Sequence, residues 1–149
     1  MGQIYSLTSD EAEKIMEAAM ETLKTQFNVA SISIVNRDGT EIAKAVMDGV
    51  RPFTTYVALM KAKQAAYIGK ATGIIASEVK KWTKTLGVLD IDFNNFVQWK
   101  GGVPVYDQEG HLLGGLGVSN LDQENDDAVA ENAICKAGFK VAADYVPWR

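Results

Sequence analysis

The chain has 149 residues, 47% of them hydrophobic and 23% charged, enough to bury a core without disulfide or metal staples. A formal net charge of −4 and a pI near 5.0 argue against nucleic acid or an anionic membrane as the main partner. A single cysteine, no basic-then-apolar leader and no apolar run near the roughly 18 residues of a membrane span predict a cytoplasmic protein without a membrane partner, folded as one domain over 1–149.

Thr8-Ser-Asp-Glu11 has the form of a capping box, and Ala12, Ile15, Ala19 and Leu23 follow at helical spacing to about Gln26. Val29 to Val35 alternates, with Ile32 and Ile34 on one face and Ser31 and Ser33 on the other, which predicts a half-buried strand. Asn36-Arg-Asp-Gly39 is a hairpin turn, and Glu41 to Met47 returns as the second strand. Asp48 to Pro52 is a loop, because Pro52 disfavours helix at Arg51. Thr54 is the expected cap of a second helix running to about Lys70. On it Ala58, Ala62, Ala65 and Gly69 form a row of small residues that lets the helix lie close to a sheet or another helix. A weaker helix is predicted near 76–84, with Lys80, Lys81 and Lys84 on a solvated face. The stretch 85–100 reads as mostly irregular chain carrying Leu86, Phe93, Phe96 and Trp99.

Trp99 to Asn120 carries the most information. Gly101-Gly102 leads into the β-prone Val103-Pro104-Val105-Tyr106, Asp107-Gln-Glu-Gly110 turns, and His111 to Val118 returns as a strand containing three glycines. Glycines weaken a strand interior, so three of them signal close approach by a helix, another backbone or a ligand. Ser119 and Asn120 are the expected caps of a last helix. Its early turns hold Asp122, Glu124, Asp126 and Asp127, and its buried stripe runs Val129, Ala130, Ala133, Ile134, Ala137 and Val141. The apolar tail Tyr145 to Arg149 is expected to pack on the domain or on a neighbouring subunit. The order is α-β-β-α-(α)-β-β-α, an α+β fold with an antiparallel sheet flanked by helices.

Several of these stretches together resemble the GlcG/HbpS family, known for haem binding or haem degradation. Gly101-Gly102-Val103-Pro104, Gly114-Gly115-Leu116-Gly117-Val118-Ser119, and Asp126 followed by Ala130 are similar to its GG-x-P, G-x-x-G-V-S-G and D-x-x-x-A stretches. Lys61-Ala62 followed by Ala65-Ala66 is similar to its K-A-x-x-A helix, and Val35 to Gly39 with Met47-Asp48-Gly49 to its first hairpin and the loop after it. The resemblance covers nearly the whole chain. It implies a profilin-like fold, assembly into homo-oligomers, and a ligand that is haem, another tetrapyrrole or corrinoid, or a small organic acid. Asn120 departs from the pattern, standing where the family has glycine.

Most residues with chemistry also have a structural reading. His111, the only histidine, stands at a hairpin tip that favours exposure; to hold haem it would need an open axial approach and a ring-sized apolar pocket. With no second histidine, a histidine-rich zinc or iron site is not expected, and no metal site is. Cys135, on or near the buried stripe, reads as a small hydrophobe. Lys61 beside the small-residue row either snorkels to water or anchors a ligand's carboxylate. Arg51 next to Phe53 is a second anion clamp, and Gly101, Gly102 and Pro104 would let backbone N–H groups approach a ligand. Phe96 and Trp99 would supply apolar walls, and Ser119 offers a polar group at the helix entrance. These residues define a slot between helix and sheet, shared across a subunit boundary. The enzyme alternative, a lyase, hydratase or isomerase, would use Lys61 or Asp48 for proton transfer.

Overall fold

The structure, a computed structural model, describes residues 4–75, 77 and 99–142. Apart from Ser77, the helix predicted near 76–84 lies outside the described residues, as do Phe93, Phe96 and the tail from Tyr145. The elements are α1 (Ser9–Thr25), β1 (Ser31–Asn36), β2 (Glu41–Val46), α2 (Thr54–Ile68), β3 (Gly102–Tyr106), β4 (Leu112–Ser119) and α3 (Gln123–Lys136). The strands form one antiparallel sheet in the order β2-β1-β4-β3.

Local chemistry accounts for most of these boundaries. Thr8 and Glu11 make the reciprocal capping box that starts α1. At the first hairpin the Asn36 side chain accepts from the Asp38 and Thr40 N–H groups, and Gly39 takes the left-handed φ of +81°. The second hairpin is built the same way around Asp107, whose Oδ1 accepts from the Glu109 and His111 N–H groups. Pro104 sits in β3, an edge strand, where a residue that cannot donate to a ladder is tolerated. Lys140, after α3, closes part of that edge by exchanging both backbone hydrogen bonds with Tyr106, at 2.8 and 2.9 Å.

Two helical layers enclose the sheet. On one face Ile32, Ile34, Val103, Val105, Leu116 and Val118 pack with Ile15 and Leu23 of α1 and Val129 and Ile134 of α3. On the other face Val35 packs with Ala62 and Ala66 of α2. The expectation of a half-buried β1 is therefore corrected, because Ser31 and Ser33 are each 1% exposed. Their hydroxyls are satisfied inside the layer, Ser31 by Thr54 at 2.9 Å and Ser33 by donating to Glu41 Oε2 at 2.6 Å.

Small residues let α2 cover that face. Ser33 pairs with Gly117 and Gly117 with Gly102, while Val35 pairs with Gly115 and Gly115 with Pro104. A Cβ on Gly117 would strike the Ala58 carbonyl oxygen and one on Gly115 the Ala62 carbonyl oxygen. A Cβ on Gly102 would come within 2.5 Å of the Lys61 carbonyl oxygen. The close approach read from the glycines is present, but backbone meets backbone there. The glycines seal the contact between α2 and β4 instead of opening a ligand slot in it.

Three further expectations are corrected. The N-cap of α2 is Phe53, and Thr54 is its first helical residue, with the hydroxyl donating to the Arg51 carbonyl at 2.7 Å. The cap of α3 is Asp122, which accepts from the Asn125 N–H, and not Ser119 or Asn120. Cys135 is exposed, since the buried face of α3 is Asp126, Val129, Ala130, Ala133 and Ile134, and residue 135 turns away from it. Among the described residues no helix is long and apolar enough to cross a membrane.

Candidate functional site

Among the described residues Lys61 is the largest side chain that is almost fully buried, at 1% exposure. A lysine so placed must satisfy its ammonium or lose the charge. Nζ donates to the Val118 carbonyl at 2.8 Å and pairs with Asp126 Oδ2 at 3.1 Å. Asp126 Oδ1 accepts from the Leu121 N–H at 3.0 Å. Burial pushes Lys61 below the ordinary lysine range and Asp126 above the ordinary carboxylate range, with each partner opposing the other's shift. The snorkelling expected of Lys61 is thus corrected: β4 ends and α3 begins around its ammonium. The sequence pattern contained both partners, because the lysine of the K-A-x-x-A stretch and the aspartate of the D-x-x-x-A stretch form this ion pair.

Gly101 makes room for the pair. At φ +120° it occupies backbone space that suits glycine, and a Cβ there would lie 2.8 Å from both Lys61 Nζ and Asp126 Cβ. The adjoining Gly102 N–H, which the sequence reading offered to a ligand, donates to Thr72 Oγ1 at 3.0 Å. Asp127, the next acid along, has a buried Oδ1 with no hydrogen-bond partner among the described residues, and burial pushes its carboxyl up.

The pair forms one wall of a cleft of about 170 Å³ whose other lining residues are Arg51, Phe53, Trp99, Leu121 and Gln123. Four of the proposed ligand residues, Arg51, Phe53, Lys61 and Trp99, therefore stand around one space. Arg51 is held in place by Asn120. Its backbone N–H and Nε donate to Asn120 Oδ1 at 3.0 and 3.3 Å, and Nη2 donates to the Asn120 carbonyl at 3.1 Å. The guanidinium carbon lies 5.5 Å from the centre of the Phe53 ring. Asn120 has φ +119°, which accounts for glycine at the matching family position. Its side chain gives this chain an arginine clamp that a glycine could not make.

Among the described residues, the remaining candidates do not line this cleft. Gly102 and Pro104 are buried in β3, Ser119 is buried at the end of β4, and Asp48 is exposed in the turn after β2. Lys61 and Asp48, either of which the enzyme alternative offered for proton transfer, thus stand in different places, Lys61 buried beside the cleft and Asp48 in an exposed turn. Phe96 lies outside the described residues. Asn120, Leu121, Gln123 and Asp126 are site residues that the sequence reading did not assign. Asp126 alone had a signal, its place in the motif.

His111 stands just before the opposite end of β4, roughly 26 Å along the chain from Ser119 by the rise per residue of an extended strand. Its Nδ1 is 2.8 Å from Asp107 Oδ2, and its ring stacks on Tyr5 with centroids 3.6 Å apart and planes 6° apart. A cleft of about 490 Å³ beside it is lined by Ile4, Tyr5, Arg37, Asp38, His111 and Leu112.

A family model described as haem degrading protein, HbpS-like, matches residues 7–135. The corrinoid adenosyltransferase PduO of Citrobacter freundii is 30% identical over 129 residues, covering 87% of this chain and 38% of that protein. The chain thus spans under two-fifths of the length of that curated relative. Among solved structures, a PduOC:haem complex superposes with a TM-score of 0.78 at 24% identity, covering 92% of this chain and 99% of that one. The Klebsiella pneumoniae protein ORFY superposes at 0.79 with 25% identity, covering 92% of this chain and 94% of that one. A double mutant of Streptomyces reticuli HbpS superposes at 0.79 with 25% identity, covering 93% of this chain and 91% of that one.

Proposed function

We propose that this chain, which belongs to the HbpS-like family, is a small-molecule-binding protein whose ligand is haem or a related tetrapyrrole, held outside the contact between α2 and the sheet. The observation that carries this reading is the match to a haem-degrading family over residues 7–135. The relative solved as a haem complex supports the same ligand class. The contact of Gly115 and Gly117 with the α2 backbone supports an outer site, because no ring fits where a methyl group would collide. Haemin titrated into the protein is expected to give a saturable, shifted Soret band. An absorption spectrum identical to free haemin at every ratio would remove haem from the account.

The Arg51 cleft favours a second ligand type. At about 170 Å³ it lies below the roughly 300–1,000 Å³ of drug-sized ligand pockets, too small for a tetrapyrrole. A guanidinium fixed by Asn120 and walled by Phe53 and Trp99 suits a compact organic acid seated on the Arg51 side, away from the Lys61–Asp126 pair. Calorimetric titration with short-chain mono- and dicarboxylates tests this. Binding lost at least tenfold in Arg51→Ala supports the clamp, and equal binding by both proteins rejects it.

Assembly of like subunits is the third part of the reading. Tyr56 and Tyr67 of α2 are 60% and 58% exposed, and Phe53, the N-cap of that helix, is 51% exposed. Exposed aromatic side chains along one helix mark a protein contact, and a second copy of the chain is the proposed partner.

A further inference from the structure

We propose, on the reading of the Arg51 cleft as an organic-acid site, that it selects short 2-oxo acids over hydroxy and amino acids of the same length, with Gln123 as the residue that sets the preference.

The selectivity follows from which hydrogen-bonding groups of the lining are already used. Its side-chain oxygens belong to Gln123 and Asp126, since Arg51, Phe53, Lys61, Trp99 and Leu121 carry none. Each of those oxygens is engaged. Gln123 Oε1 accepts from the Lys100 N–H at 3.2 Å, Asp126 Oδ1 from the Leu121 N–H at 3.0 Å, and Asp126 Oδ2 from Lys61 at 3.1 Å. Asp126 is moreover 3% exposed, out of a ligand's reach.

The donors are placed differently. Nε and Nη2 of Arg51 face Asn120, while Nη1 has no partner among the described residues. The guanidinium thus keeps a free end for a carboxylate. An amide NH2 group cannot accept from the Lys100 N–H, so that bond orients the Gln123 side chain. It leaves Nε2 a donor without a partner among the described residues.

The open polar side-chain positions are therefore donors, and the matching ligand carries a carboxylate for Arg51 and a second acceptor for Gln123. A ketone oxygen only accepts. A hydroxyl brings a donor that finds no open side-chain acceptor in the lining, and an ammonium brings several. At about 170 Å³ the cleft keeps the second acceptor close to the carboxylate, and the Phe53 and Trp99 rings suit a flat acid better than a tetrahedral centre. The acids at the start of α3 do not meet such an anion unopposed. Asp122 caps the helix, Glu124 pairs with Lys100 at 2.7 Å, Asp126 pairs with Lys61, and burial pushes the Asp127 carboxyl up towards its neutral form.

Calorimetric titration with propionate, pyruvate, lactate and alanine compares acids that differ only at the second carbon. The wild type should bind pyruvate about tenfold more tightly than propionate or lactate, the effect of one well-made hydrogen bond, and alanine most weakly. In Gln123→Met the ratio of pyruvate to propionate affinity should fall to near one. Gln123→Glu should favour lactate over pyruvate, because a hydroxyl can donate to the new carboxylate and a ketone cannot. Residue 123 is exposed at the first position of α3, so both variants should fold, which circular dichroism checks. Lactate or alanine binding as tightly as pyruvate, a pyruvate preference that survives in Gln123→Met, or binding confined to dicarboxylates overturns this assignment and leaves the acid reading standing. A wild-type protein that binds no short acid overturns both.

Discussion

At the residue scale, the Lys61–Asp126 pair is the feature with the largest consequences. Removing one partner of a buried pair strands the other charge, at a cost of about 3–5 kcal/mol, so Asp126→Ala should lower unfolding stability by that order in urea titrations at neutral pH. In Lys61→Met the stranded partner is an acid, which takes up a proton as the pH falls. Without Lys61, burial raises the Asp126 carboxyl still further above its unfolded value. A group with a raised folded pKa contributes stability below its unfolded pKa and loses it as pH rises through the folded one. Lys61→Met should therefore be closest to the wild type near pH 4 and fall further behind it towards pH 7. A penalty that shrinks over the same interval would show that Asp126 stays ionised.

Asn120 gives a second prediction at this scale. A non-glycine residue at φ +119° carries strain of about 1–3 kcal/mol, offset here by its bonds to Arg51 and Val29. Asn120→Ala keeps the strain and loses the bonds, whereas Asn120→Gly loses both. The alanine variant should melt lower than the glycine variant, and the reverse order would mean that the backbone at residue 120 carries little strain. Neither Asn120 nor the Lys61 pair was legible as such in the sequence. Positive φ leaves no periodic trace in a residue that is not glycine, and a contact spanning 65 residues lies beyond any helical or strand repeat.

At the element scale, the interface between α2 and β4 depends on the absence of side chains. Gly117→Ala places a methyl group against the Ala58 carbonyl, where α2 must move away from the sheet. Overpacking of this kind costs about 1–3 kcal/mol or more. Gly110→Asn is the contrast, since residue 110 has positive φ but nothing within 4 Å of its added Cβ, and asparagine tolerates that backbone. Gly117→Ala should lower the melting temperature well below that of Gly110→Asn. Similar values for the two would mean that the helix has room to move, and the sealed interface would be wrong. Here the sequence was more informative. The capping box at Thr8, the Asp- and Asn-led turns and the glycine run of β4 act through neighbours a few residues away, so the elements could be read directly. Alternation failed at Ser31 and Ser33 because it reports polarity, while a helix built of alanines can bury a serine face whose hydroxyls find partners.

At the scale of the whole molecule, β4 joins two unlike ends. One carries the Arg51 cleft over the buried pair, and the other carries His111 in the second hairpin. α2 carries exposed aromatics, so light scattering should find a homo-oligomer that Tyr56→Lys with Tyr67→Lys dissociates. A wild-type monomer at high concentration would contradict that surface assignment. The family resemblance was legible because its motifs are the glycines, the lysine and the aspartate that hold the layers together. The place of a ligand was not, since those same residues are consumed by packing and the outer surfaces carry little pattern.

The central claim is that small residues close the contact between helix and sheet, leaving haem an outer site. Anomalous diffraction at the iron edge from crystals of the haemin complex tests it most directly. The account predicts an iron peak on the outer surface of each protomer, away from the contact between α2 and β4. A peak between α2 and β4, or no ordered iron in a protein saturated with haemin, would contradict it.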